Sequence, residues 1–466
     1  MSTVPEVKKK KSFKMPHMLF LMLGLILFMS LLTYIVPAGQ FARDPETNAL
    51  IGDQFVFDGK QTPISPWQAS LRILQGMQNS SLVISLLLVG GGTVGVILET
   101  GALDETINYA VYKLKDQGVN VLVPLMFIAI GILGGFGGGD QMVAIVPVGV
   151  MFAKKLRLDP IVACAVTFMA SMVGFSTGPT RLMTPQLMLD LPVYSGFGMR
   201  FWIMNIAILI GAAYTLWYAR RIQKDPTKSF MGNTDWYDDF DSEADIEEVV
   251  LSPRAALVTA LFFIQYFVIV YLMTIKGMTN AVMPAVQMGV CIVCGLLFKM
   301  NFDKLGNVFA RGVAGMGFVC FVIGMAGCMS LVMNEGRILH TIVYFATQPL
   351  KGMPPGVIAI GISIIIMGIN LFIPSASSKA AILIPIVRPM TEALGMPGQI
   401  AAQAFQVGDG FSNSITPALG WTSGSLQASK VEFPQWWKFS IPLVAILMVV
   451  SWVQLYFLGA IGWTGL

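Results

Sequence analysis

Gly174-Phe175-Ser176-Thr177-Gly178-Pro179-Thr180 and Gly410-Phe411-Ser412-Asn413-Ser414-Ile415-Thr416 share one register, G-F-S-x-x-x-T, in the two halves of a 466-residue chain. Ahead of them, Asp140-Gln141-Met142-Val143-Ala144-Ile145-Val146-Pro147 parallels Ser378-Lys379-Ala380-Ala381-Ile382-Leu383-Ile384-Pro385, and the proline stands 27 residues before its G-F-S in one half and 25 in the other. Two ordered matches at nearly equal spacing mark an internal repeat. Both fall where long apolar runs fail, and that coincidence decides the fold. Backbone groups left unpaired in hydrocarbon cost several kcal/mol each, so non-helical backbone survives at membrane depth only where protein, water or a ligand satisfies it.

The surrounding sequence is that of a membrane protein. Residues are 55% hydrophobic and 12% charged, against roughly 25% charged in soluble domains. Apolar runs predict nine crossings: Met18 to Val36, Ser81 to Leu98, a segment from Ile161 interrupted at Gly174 to Thr180, Phe201 to Tyr218, Ala255 to Ile275, Val282 to Phe298, Val313 to Met333, a segment around Ile400 interrupted after Val407, and Phe439 to Ile461. The first of these is expected to be a retained anchor rather than a signal peptide, because spans continue after it. Two further regions, 121–152 and 357–389, are too broken for one helix and too short for two full spans, which predicts re-entrant hairpins. With the N-terminus in the cytoplasm, 20 of the 30 Lys and Arg fall on cytoplasmic segments. Eight, Arg200 among them, fall outside, while Arg181 and Lys379 lie at membrane depth. The hairpins then enter from opposite sides. The expected fold is an all-α polytopic membrane protein of two inverted repeats with re-entrant hairpins and interrupted transmembrane helices. Its segments are a basic cytoplasmic N-terminus (1–17), a first repeat (18–224, with an outer loop at 37–78), an acidic cytoplasmic linker (225–253) and a second repeat (254–466).

Chemistry is expected at the interruptions. Gly134, Gly135, Gly137, Gly138 and Gly139 do not favour regular helix, and Pro179 and Pro374 each remove a backbone donor. Exposed amides at a helix N-terminus favour an anion, and carbonyls at a C-terminal end favour a cation such as Na⁺. Asp140, Arg181, Lys379 and Asp409 lie on or beside the broken elements, where an ionisable group costs about 2.5 to 3.5 kcal/mol on insertion scales. Asp140 is suited to a cation, a proton or a substrate amine, and Arg181 to a carboxylate. Lys379 and Asp409 either serve the substrate or pair with each other. Gln141, Ser176, Thr177, Ser375, Ser377, Ser378, Ser412, Asn413, Ser414 and Thr416 complete the candidate substrate set. Gly137 to Gly139, Asp140, Ser176, Thr180, Ser377 and Asn413 form the candidate cation set. Neither histidine is near a break and no H-E-x-x-H motif occurs, which argues against an enzyme. The five cysteines lie in apolar segments, so Cys291-x-x-Cys294 reads as helix packing. No cofactor beyond Na⁺ or H⁺ coupling and no nucleic acid is expected. An ion channel and a non-transporting sensor remain alternatives to a carrier.

Pro374-Ser-Ala-Ser-Ser-Lys-Ala-Ala-Ile-Leu-Ile-Pro385, Ala404-Phe-Gln-Val-Gly-Asp-Gly-Phe-Ser412 and Ile35-Val-Pro-Ala-Gly39 resemble the YfcC family of the ion transporter superfamily, related to DcuC-type C4-dicarboxylate carriers. The resemblance covers nearly the whole chain. It implies a homodimer in the cytoplasmic membrane, scaffold helices holding mobile transport domains, and elevator-like transport of small carboxylates or basic amino acids. It also implies that Ser375, Ser377, Ser378, Ser412 and Asn413 form one binding tip, and residues 137–141 with Ser176 and Thr177 the other. Relatives often carry Gly-Glu-Glu at the first tip, where this chain has Gly139-Asp140-Gln141. With one acidic charge fewer, a dicationic amino acid, a zwitterion and a dicarboxylate all stay open as substrates.

Overall fold

The computed structural model describes residues 18–465 except 44–49, 115–117, 137–139, 193–194, 233–235, 237–249, 275, 277, 279–281, 351, 372–375, 377–378, 381–382, 385–386 and 389–395. Most of the acidic linker lies outside the described residues. Among those described, five helices are long and apolar enough to cross a membrane, six if one bent pair is counted, and four shorter apolar helices accompany them. Each predicted crossing coincides with a helix.

The first helix, α1 (Met18–Ile35), leads into the segment expected to be an outer loop at 37–78. Most of that segment is regular. Strands β1 (Gly39–Arg43) and β2 (Leu50–Phe57) pair antiparallel, with Phe41 opposite Phe55, and are the one departure from an all-helical chain among the described residues. Helix α2 (Pro66–Asn79) then begins where Ser65 and Gln68 cap each other reciprocally and proline occupies the first turn, a start that supplies partners for otherwise orphaned amides. It meets α3 (Ser81–Glu99) at a 60° bend.

The bent pair α2–α3 runs along α12 (Phe302–Glu335). Small residues make this approach close. A Cβ added at Gly91 would overlap Met316 Cγ, one at Gly312 the Gly91 carbonyl oxygen, and one at Gly76 the Gly324 carbonyl oxygen. Helix α11 (Val282–Leu297) packs beside α3, α10 (Pro253–Thr274) packs on α11, and Arg72 pairs with Glu335 at 2.8 Å.

The first repeat's core runs α4 (Ala102–Leu114), α5 (Gly118–Phe136), a 3-10 turn (Asp140–Ile145), α6 (Val146–Lys155), α7 (Pro160–Thr177), α8 (Met183–Met188) and α9 (Phe197–Lys224). A π-turn at Ala165–Met169 interrupts the α7 hydrogen-bond ladder. The second repeat answers with α13 (Leu339–Thr347), α14 (Pro355–Ile369), α15 (Gly398–Asn413), α16 (Gly420–Ala428) and α17 (Phe433–Ala460). Helix α5 runs parallel to α7, as α14 does to α15: a Cβ at Gly174 would overlap the Gly131 carbonyl oxygen, one at Gly178 that of Gly135, and one at Gly408 that of Ser363.

The two repeats point in opposite directions. Asp159, at the start of α7, accepts a 2.5 Å hydrogen bond from Tyr218 late in α9, whereas Gln399, at the start of α15, accepts one of 2.7 Å from Arg200 early in α9. Those α9 positions are about 27 Å apart at 1.5 Å per residue, so α7 and α15 set out from opposite ends and overlap in the middle.

Two expectations change. Gly134 and Gly135 were expected to break the helix, yet they lie inside a 19-residue α5. Their missing side chains admit a neighbour instead: a Cβ at Gly134 would overlap the Ser171 carbonyl oxygen, and one at Gly135 would overlap Met204 Sδ. The helix interruptions also come later than Gly174 and Val407, since α7 continues to Thr177 and α15 to Asn413. Helix α5 ends inside the molecule. Gly135 packs on Met204, seven residues or about 10 Å short of where α9 begins.

Candidate functional site

Because α5 is parallel to α7, and α14 to α15, the C-terminal ends of each pair finish side by side and gather unpaired carbonyls at the same depth. In the second repeat these are the ends of α14 and α15. The Asn370 amide nitrogen donates to Ser412 Oγ at 2.8 Å, to the Asp409 carbonyl at 3.2 Å and to Asn413 Oδ1 at 2.5 Å. Its amide oxygen accepts from Lys379 Nζ, which is also ion-paired with the Asp409 carboxylate. Lys379 is 0% and Asp409 3% exposed. Both charges are therefore removed from solvent and neutralise each other. Beyond them, Thr422 Oγ1 donates to the Asn413 carbonyl, Trp436 Nε1 to that of Ser414 at 2.7 Å, and Trp437 Nε1 to that of Ile415 at 2.9 Å.

In the first repeat the ends of α5 and α7 are closed by other side chains. Thr180 Oγ1 lies 3.1 Å from the Gly135 carbonyl oxygen and 2.8 Å from that of Phe136. Arg181 Nε donates to the Gly134 carbonyl at 3.3 Å, with the guanidinium 4.9 Å from the Phe175 ring centroid. Two carbonyls at the end of α7, of Phe175 and Gly178, accept from Gln406 Nε2 of the second repeat at 3.0 and 2.8 Å.

That last contact belongs to a stripe along α15. Gln399, Gln403, Gln406 and Gly410 follow at i, i+4, i+7 and i+11 and share one helix face. Arg200, fully buried, donates through Nε to Gln403 Oε1 at 2.9 Å and through a terminal nitrogen to Gln399 Oε1 at 2.7 Å, and its guanidinium lies 5.2 Å from the Trp463 ring. Charge counting placed Arg200 on the outside. Its side chain is buried because four amide and carbonyl acceptors, Gln403 Oε1, Gln399 Oε1 and the Gln399 and Ser195 carbonyls, and an aromatic face replace its hydration. At the end of the stripe, a Cβ on Gly410 would overlap Ser176 Cα. The two G-F-S segments therefore touch, at Gly410 of one and Ser176 of the other.

Gln406→Leu leaves the Phe175 and Gly178 carbonyls without this donor in a buried site. The expected loss is about 1–3 kcal/mol, read as a lower unfolding midpoint in detergent.

Of the candidate residues, Lys379, Asp409, Ser412 and Asn413 form one cluster, Ser176 lies against Gly410, and Thr180 and Arg181 close the first pair of helix ends. Ser176, Thr177 and Ser412 donate back to the Met172, Val173 and Gly408 carbonyls at 2.5, 2.8 and 2.6 Å, so their oxygens face other groups only as acceptors. Ser414 donates to the Phe411 carbonyl at 2.6 Å and Thr416 accepts from the Ala418 amide at 3.3 Å; these two shape the turn into α16. Gly137, Gly138, Gly139, Ser375, Ser377 and Ser378 lie outside the described residues, as do the side chains of Asp140 and Gln141. Sequence reading missed Asn370, Gln406 and Arg200. Asn370 carried a signal, as a lone amide ending the apolar run of α14, and so did the glutamine spacing.

The sequence model of the family described as C4-dicarboxylate anaerobic carrier (DcuC) matches residues 15–459. The Escherichia coli (strain K12) protein YfcC, whose name proposes it as a basic amino acid antiporter, is 25% identical over 501 aligned positions covering 97% of each chain. An uncharacterized Haemophilus influenzae protein is 23% identical over 511 positions, covering 96% of this chain and 97% of its own. Among solved structures, the Alcanivorax borkumensis YdaH transporter is 17% identical with a TM-score of 0.46, covering 97% of this chain and 100% of that one. The Neisseria gonorrhoeae MtrF efflux pump is 16% identical with a TM-score of 0.46, covering 96% and 95%.

Proposed function

The chain belongs to the C4-dicarboxylate anaerobic carrier (DcuC) family, and on that premise we propose that it is a secondary active transporter of a small carboxylate-bearing metabolite, either a C4-dicarboxylate or an amino acid. It is a multi-pass membrane protein and not an enzyme. We place it in the cytoplasmic membrane as a homodimer, with its basic N-terminus inside, in accord with the charge distribution of its loops.

One observation carries this reading: two oppositely directed broken helices meet at Gly410 and Ser176, beside a buried Lys379–Asp409 pair. Opposed elements meeting at mid-depth suit a site reached alternately from either side. The Arg200 clasp supports elevator-like motion, because it ties α9 of one repeat to α15 of the other and lets the broken helices move together against the glycine-packed α3–α12 pair.

Proteoliposomes loaded with unlabelled substrate are expected to accumulate the labelled compound by saturable counterflow for at least one C4-dicarboxylate or amino acid. Absence of counterflow across both classes contradicts the proposal, and flux that never saturates with concentration identifies a channel.

A further inference from the structure

The parallel ends of α14 and α15 each carry about half a negative charge, and Asp409 adds a full one at the same place. Around that point stand the Asn370 amide oxygen and the carboxylate. The α15 carbonyl at Asn413, just beyond, accepts from Thr422. A carboxylate, an amide oxygen and helix C-terminal ends are the donor set with which broken helices hold Na⁺. Here the positive charge among them is the Lys379 ammonium, which bonds both Asn370 Oδ1 and Asp409 Oδ1 and has no exposed surface. The first repeat repeats the device with a different base, since Arg181 donates to the Gly134 carbonyl at the end of α5.

We propose that Lys379 is a tethered cation: its ammonium fills a seat built for an alkali metal ion, so the second repeat needs no Na⁺, and taking the ammonium away uncovers a Na⁺ site. The inference deepens the transporter reading, on which its meaning for ion coupling rests, yet it concerns binding and is read without any flux. With the lysine present, a metal ion at this point meets an adjacent fixed positive charge and is excluded. With a short neutral side chain, Asp409 is left buried and uncompensated, and Na⁺ with a residual water takes the vacated volume. A long apolar side chain fills that volume and leaves no room for the ion.

The test uses the full-length purified protein in detergent, with Na⁺ titrated against choline at constant ionic strength and both the unfolding midpoint and radioactive sodium binding recorded. Lys379→Ala and Lys379→Ser are expected to gain saturable Na⁺ binding and a midpoint that rises by a few degrees with Na⁺. Lys379→Met is expected to gain neither, and adding Asp409→Asn to Lys379→Ala is expected to remove the gain. If the alanine and serine variants are too unstable to purify in choline, recovery in Na⁺ alone is the same positive result. Three outcomes overturn the proposal: folded alanine and serine variants with no added Na⁺ response, variants recoverable in neither salt, or a wild-type Na⁺ response that Asp409→Asn abolishes. Absence of counterflow in the wild-type protein, by contrast, would defeat the transporter reading and leave these binding results standing.

Discussion

Gly410→Ala is expected to abolish counterflow and to lower the unfolding midpoint sharply. The new Cβ would lie on Ser176 Cα, which is main chain and has no rotamer by which to withdraw. Overpacking a well-filled site costs about 1–3 kcal/mol, occasionally more, and a backbone neighbour puts this substitution at the upper end. Gly174→Ala meets the Gly131 carbonyl oxygen and is expected to behave alike. The controls are Gly24→Ala in α1 and Gly315→Ala in α12, where an added Cβ has nothing within 4 Å. These should leave the midpoint unchanged or raised, since alanine exceeds glycine in helix propensity by about 0.5–1 kcal/mol. If Gly410→Ala matches the controls in both assays, the close crossing of α7 and α15 is wrong.

The second large effect is on the buried ion pair. Asp409→Ala strands the Lys379 ammonium away from water, and Lys379→Ala in choline strands the carboxylate. Each is expected to lose about 3–5 kcal/mol. The double variant Lys379→Met with Asp409→Leu removes both charges and keeps the volume, so it should recover most of that loss, because buried pairs contribute little beyond their mutual compensation. It should nonetheless fail in counterflow. Unfolding midpoints of the wild type, Lys379→Met, Asp409→Leu and this double variant form a double-mutant cycle, and losses that simply add would show that the two charges do not interact. A double variant that is stable and transports normally would remove this pair from the transport site.

Much of this architecture was readable from where apolar runs fail. The G-F-S register located both helix interruptions, and the distribution of Lys and Arg predicted the opposed directions that α7 and α15 take from the two ends of α9. The alternative in which Lys379 and Asp409 pair with each other is the one the structure contains. What remained illegible has a common cause. Glycine signals both helix breaking and close packing, and composition does not distinguish them: Gly134, Gly135, Gly174 and Gly410 all lie within helices because a neighbouring backbone occupies the space of their missing side chains. The elements within the outer loop did not stand out because a two-stranded hairpin and a capped amphipathic helix have no long apolar run. Arg200 read as an outer charge because a guanidinium can be solvated by glutamine amides that lie some 200 residues away in sequence.

The site itself was only half visible. Charged residues at membrane depth stand out in a chain with 12% charge, which is how Arg181, Lys379 and Asp409 were found. The neutral amides beside them stand out far less: Asn370, which bonds Lys379 and the end of α15, and Gln406, which closes the end of α7, matter through the two or three bonds each makes to another element.

The central claim, that the meeting of the two broken helices is where substrate binds, is tested most directly by a cryo-electron microscopy map of the protein loaded with the compound that counterflow selects. The account predicts ligand density in contact with both segments 174–180 and 410–416. Density that touches one repeat alone, or that lies away from the Gly410–Ser176 crossing, would contradict it.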